Sequence, residues 1–182
     1  MARVKALMLG IDGLTYKLFM KCEARSLLTL LDTTFRGVTE NRDLQHPAAA
    51  WASALSGVPV KVSDFFPSVP ELPIVEETGA SLVNIPVTNP SAGAVRTPMD
   101  SSTPLEAELQ EVEQAVLELL DSGPVVAAVT ALERLKGYDA CSAYRALDSL
   151  VRRLVNASDE FIIFSPYGGP LSGGGNLLSL IH

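Results

Sequence analysis

Histidine is almost missing from this chain: its 182 residues hold two, His46 and His182. A histidine-rich metal centre is therefore excluded. Cysteine is equally scarce. Cys22 and Cys141 fall in segments that read as helices, with no Cys-x-x-Cys and no zinc spacing. They are expected as two buried free thiols in a reducing compartment. No run of Lys or Arg occurs, and 14 basic residues face 21 acidic ones for a net charge of −7. Nucleic-acid backbones and anionic lipid both need clustered cations, so neither is expected as a main partner. Long apolar runs are missing too. Stretches such as 124–132 are about half of the roughly 20 residues that a bilayer demands. The N-terminal run Ala6–Ile11 is too short for a signal peptide and leads straight into Asp12. The chain is thus expected to have no membrane span and no export signal, and to be cytoplasmic.

What is present is material for a core. Hydrophobic residues make up 47% and charged residues 19%, with a mean hydropathy of +0.24, which suits one domain over residues 1–182. Short apolar runs at 4–11, 80–85, 125–132 and 160–164 read as strands buried on both faces, and Phe35–Thr39 as a further short strand. Between them lie amphipathic stretches. One runs from Thr15 to about Leu31, with Leu18, Cys22, Leu27, Leu30 and Leu31 on one face. Asp139–Val155 is another, while Ala48–Leu55 reads as a short, almost wholly buried helix ending at Gly57, and Glu71–Thr78 as a further helix. The helix opening at 103–106 has Thr103 as its expected cap, Pro104 at the first helical position and Glu106 closing a capping box. Its apolar stripe is Leu105, Leu109, Val112, Val116, Leu119 and Leu120, with five Glu placed on the polar side. A short apolar tail, Leu177–Ile181, follows a turn-rich stretch. Alternating strands and helices predict an α/β fold, a mostly parallel sheet with helices on both faces. In such sheets ligands sit beyond the carboxyl ends of the strands. Asp12-Gly13, the loop after Ile85, residues 133–138 and 165–169 converge there.

The order of these segments resembles the type I phosphodiesterase and nucleotide pyrophosphatase family of the alkaline phosphatase superfamily. Leu9-Gly10-Ile11-Asp12-Gly13-Leu14 is similar to the family's strand-end Gly-x-Asp-Gly segment. The stretch 47–57, from Pro47 through Trp51 to Ser56-Gly57, is similar to Thr-x-Pro-Ala-Trp-Thr-Ser-x-x-Thr-Gly. Asn84-Ile85-Pro86-Val87-Thr88-Asn89-Pro90 resembles an Asn-Val-Pro-Val-Thr-Tyr-Pro loop. Glu133-Arg134 falls where the family has Asp-Arg-x-x-His, and Ser165-Pro166-Tyr167-Gly168 where it has Ser-Asp-His-Gly. The resemblance implies a three-layer sandwich with an alkaline phosphatase-like core, truncated, because family members are usually longer and their last His ligand has no counterpart except the terminal His182.

The same resemblance implies phosphoryl chemistry at two divalent metals with a Thr or Ser nucleophile. Carried over by position, Asp12 matches a metal-binding carboxylate, and Glu133 replaces a second. The nucleophile falls at Pro47, which has no side-chain oxygen. The His partner falls at Gly137, and the adjacent Asp and His fall at Pro166 and Tyr167. No catalytic residue is therefore expected. The residual pocket is Asp12, His46, Glu133, Ser165 and Tyr167. No cofactor is expected beyond one divalent ion (Mg²⁺, Mn²⁺ or Zn²⁺) weakly held by Asp12 and Glu133.

Each of these residues also has a plainer reading. Asp12 suits hydrogen bonding at a strand-to-helix turn, Trp51 suits core packing, and His46 a loop. Ser53 and Ser56 read as structural, and Gly168–Gly175 as a turn rather than an anion cradle. Three functional classes follow. The leading one is a catalytically inactive phosphodiesterase-like module that binds a small phosphorylated ligand or a protein partner. The second is a Mg²⁺- or Mn²⁺-dependent phosphohydrolase with a rebuilt site, His46 or Tyr167 assisting a water. The third is a structural homo-oligomer, a homodimer being the simplest case.

Overall fold

Every second residue of the strand Ala6–Ile11 (β1) points to the same side, and the structure uses both sides. Leu7, Leu9 and Ile11 enter one hydrophobic cluster, while Met8 packs against the other. The computed structural model describes residues 4–40, 47–61, 72–87, 103–134, 139–168 and 176–181. Among these, β1 lies in the middle of a six-stranded sheet. Val125–Val129 (β4) and Glu160–Phe164 (β5) flank it in parallel, with Leu9 opposite Ala127 on one side and Ile163 on the other. Ser81–Val83 (β3) continues the parallel set beyond β4. Asn176–Ile181 (β6) runs antiparallel beside β5, and Phe35–Glu40 (β2) antiparallel beside β6, giving the order β2-β6-β5-β1-β4-β3. The apolar run near the C-terminus is therefore a strand rather than a tail. It pairs the side of β5 that would otherwise be an open edge.

Helices cover both faces, as the alternation predicts. Tyr16–Lys21 (α1), Arg25–Thr33 (α2), Leu105–Leu120 (α5) and Ala140–Ala157 (α7) bury their apolar residues against one face of the sheet. Pro47–Ser56 (α3) and Pro73–Thr78 (α4) lie on the other, where Trp51, Leu55 and Leu72 meet Leu82, Val126 and Phe164. The result is a three-layer α/β sandwich.

Several local expectations are corrected. The helix expected over 15–31 is two helices. Cys22 caps α1, and Glu23 takes a left-handed conformation with φ of 50° that no helix continues through. The start of α5 has no side-chain cap: Pro104 occupies the cap position and Leu105 is the first helical residue. The strand expected over 80–85 ends at Val83, where Asn84 turns left-handed with φ of 58°. The run 125–132 stops being a strand at Val129, and Ala131–Arg134 (α6) forms one helical turn.

The largest correction concerns sulfur. Cys22 and Cys141 are joined in a disulfide, not held as free thiols. The C-terminal end of α1 lies against the first turn of α7, which brings the two Cα atoms to 4.9 Å, inside the range a disulfide bridges. Two residues 119 positions apart in sequence carry no local signal of that contact.

Candidate functional site

Six polar residues are buried among those described: Asp12, Thr15, Asn84, Glu108, Thr130 and Ser165. All but Glu108 stand just beyond the carboxyl ends of β1, β3, β4 and β5, and Glu108 reaches that end from α5. The sheet interior is apolar and its carboxyl end is polar, as a parallel sheet with a functional crevice demands.

Asp12 follows β1 directly. Its backbone N–H donates to the carbonyl of Val129 (2.9 Å), so the turn starts in register with β4. Its side chain is 1% exposed, and both carboxylate oxygens accept from the indole N–H of Trp51, at 2.9 and 3.0 Å. Burial pushes the Asp12 carboxyl well above the usual carboxylate range. The Trp51 N–H opposes that shift, and the negative charges of Glu133 and Glu108 add to it. Trp51 is buried core, as expected, and packs edge-on to Phe164 with ring centroids 5.4 Å apart. Its hydrogen bond to Asp12 is the part that sequence reasoning missed.

The glycines of Gly10-Ile11-Asp12-Gly13 have separate physical reasons. A Cβ on Gly10 would occupy the space of the Trp51 ring. Gly13 has φ of +79°, and a Cβ there would stand 2.9 Å from the backbone of Leu132 and Glu133. Its N–H donates to the carbonyl of Tyr167 (2.7 Å), which ties the β1 turn to the loop after β5. Ser165 is buried in that loop and donates to the same carbonyl at 3.4 Å. Tyr167 is partly exposed. Burial raises its phenol pKa, and Glu133 and Asp12 raise it further, so all three side chains share one electrostatic neighbourhood.

Four of the five residues expected in the residual pocket are therefore gathered at the carboxyl ends of the strands: Asp12, Glu133, Ser165 and Tyr167. His46, like Gly137 and His182, lies outside the described residues. Pro47 is the first residue of α3, one turn before Trp51, and offers no nucleophilic atom. Pro166 follows Ser165 and brings no ionisable group. Ser53 donates to the carbonyl of Ala49 (2.7 Å) and accepts from the N–H of Val60 (2.8 Å), so its hydroxyl is occupied in shaping the end of α3.

Glu108 is a second correction. The sequence reading places it with four other Glu on the polar side of its helix, yet it is fully buried. One oxygen accepts from the Asn84 amide (3.0 Å), the Thr130 N–H (2.5 Å) and the Thr130 hydroxyl (3.0 Å). Asn84 also donates to the carbonyl of Ala128 (3.0 Å). The signal was present: 105, 108, 109, 112 and 116 follow helical spacing, which puts Glu108 on the buried stripe.

Among the described residues no three of His, Cys, Asp or Glu are grouped to hold the metal ions that the family resemblance implies, and both oxygens of Asp12 are already engaged by the Trp51 N–H.

No family model matches the sequence, and no curated protein matches it. Among solved structures, the chain is similar to the C-terminal periplasmic domain of EcEptC from Escherichia coli, with a TM-score of 0.54. The two are 12% identical, and the match covers 97% of this chain and 72% of that one. The likeness is one of fold. The parallel set β3-β4-β1-β5 flanked by helices is consistent with an alkaline phosphatase-like core.

Proposed function

We propose that this chain is an alkaline phosphatase-like domain without phosphoryl chemistry of its own, serving as a ligand-binding or interaction module. The observation that supports this most directly is the state of Asp12. The carboxylate that the resemblance assigns to a metal is buried and held by Trp51 through both of its oxygens. The nucleophile position at Pro47 points the same way. The test is a calorimetric titration with Zn²⁺, Mn²⁺ and Mg²⁺ on wild type and Asp12→Ala, run beside p-nitrophenol release from p-nitrophenyl phosphate esters. The expected result is no saturable micromolar binding and no metal-dependent turnover. Micromolar binding together with turnover, both lost in Asp12→Ala, would overturn the proposal. It would favour an enzyme whose site is rebuilt on Asp12 and Glu133.

The disulfide also changes the reading of compartment. We infer that the chain works where thiols are oxidised rather than in a reducing cytoplasm, since that is where such bonds persist. Alkylation before cell lysis, followed by mass spectrometry, checks this. Alkylated Cys22 and Cys141 in the native host would restore the cytoplasmic expectation.

A further inference from the structure

One stripe of α7 holds the whole α1–α2 segment. Cys141, Tyr144 and Asp148 lie at positions i, i+3 and i+7, which share a helix face. Cys141 is bonded to Cys22 at the C-terminal end of α1. Tyr144 sits at the other end of α1: its hydroxyl donates to the carbonyl of Gly13 (3.1 Å) and accepts from the N–H of Thr15 (2.9 Å). Asp148 accepts from the N–H groups of Ser26 (3.1 Å) and Leu27 (2.9 Å), capping α2, whose own cap residue Ala24 has no side chain able to do so. α1 is only six residues long and cannot hold its shape alone.

We propose that the Cys22–Cys141 bond is a redox-sensitive clamp that sets the order of the Asp12–Thr15 turn through Tyr144. With the disulfide closed, α1 cannot move away from the first turn of α7, and the Tyr144 hydroxyl is held between Gly13 and Thr15. With it open, α1 is tied to α7 by packing and one hydroxyl, and the turn after β1 loosens. Cys22 is buried and Cys141 is partly exposed, so Cys141 is the sulfur that a small dithiol reaches. The thiolate of the dithiol attacks Cys141 Sγ, and Cys22 leaves and takes a proton. The second thiol of the reagent then closes its own ring and releases Cys141 as a thiol. Two electrons and two protons pass to the protein, and the dithiol becomes a cyclic disulfide. This device goes beyond the proposed function and does not depend on what binds at Asp12.

Hydrogen exchange on the full chain, oxidised and after dithiothreitol, tests it, with Tyr144→Phe as the partner variant. Reduction of the wild type is expected to speed exchange at the Thr15 amide by about tenfold or more beyond the factor by which it speeds the Ala127 amide in β4, whose exchange reports global unfolding. Oxidised Tyr144→Phe is expected to show the same loss at Thr15, and its reduction to add little, because both changes act through one contact. Three results would overturn the clamp. They are no change at Thr15 on reduction, equal acceleration of Thr15 and Ala127, or the same factor on reducing Tyr144→Phe as on reducing the wild type. The second would make the bond a global staple, and the third would route its effect around Tyr144.

Discussion

At the scale of single residues, the polar end of the sheet is organised by a contact between Asp12 and Trp51. A carboxylate taken out of water is costly, and a single indole N–H offsets only part of that cost. The sign of the pH dependence follows. The folded pKa of Asp12 is raised, so the folded state holds a proton that the unfolded state gives up near 3.8. Stability is full below that value and falls as pH rises through the folded pKa. Asp12→Asn keeps an acceptor for Trp51 and carries no charge. Urea midpoints from pH 4 to pH 8 should therefore drop for the wild type more than for Asp12→Asn, with the variant the more stable at pH 8. Parallel curves would show that another group sets the slope. Asp12→Ala instead leaves the buried indole N–H without its partner, and is expected to cost about 1–3 kcal/mol. Gly10→Ala is a sharper test of the packing, because the new methyl group collides with the Trp51 ring inside a full core. A loss of about 3 kcal/mol or more is expected, read by denaturant unfolding with Trp51 fluorescence as the probe.

At the scale of elements, two helices join segments that have no sequence proximity. α5 delivers Glu108 to the ends of β3 and β4, where one oxygen gathers Asn84 and Thr130. Removing it with Glu108→Ala leaves buried donors from two strands without that acceptor. The expected loss is about 3 kcal/mol or more, whereas Glu108→Gln, which keeps a carbonyl oxygen, should lose less. Equal losses for the two variants would mean that side-chain volume matters and the hydrogen bonds do not. The helix α7 likewise caps α2 with Asp148, a role that the residues preceding α2 cannot fill. Element existence was legible in the sequence wherever periodicity extended over a turn or more. The strand 160–164 matches at both ends, and α7 differs by a residue or two. Two of the boundary errors lie beside a contact from elsewhere in the chain: the Thr130 N–H taken by Glu108 at the end of β4, and the α1–α2 break beside the disulfide.

At the scale of the whole molecule, the disulfide links residues 119 apart and so constrains most of the chain in the unfolded state. Loop-closure entropy assigns such a crosslink about 3–5 kcal/mol, and for a chain of this size that is a melting-temperature drop of roughly 10 °C on reduction. Calorimetric scans with and without dithiothreitol check it. An unchanged Tm would mean that residual structure in the reduced unfolded chain supplies the constraint that the bond would otherwise impose. The polar and apolar ends of the sheet also have different tolerances. Substitutions at Met8 or Ile162, partly buried against the α3–α4 layer, alter packing only, whereas those at Asp12, Asn84 or Thr130 unpair hydrogen bonds as well.

The sequence by itself determined the α/β class, the central parallel strands, and the carboxyl-end positions where Asp12, Glu133, Ser165 and Tyr167 gather. It could do so because burial on both faces writes continuous apolar runs, and because topology then dictates which loops meet. Only the tertiary structure decided that Cys22 meets Cys141, that Glu108 gathers Asn84 and Thr130, and that Trp51 holds Asp12. Each of these depends on a distance between segments far apart in the chain, and local spacing carries no record of such distances.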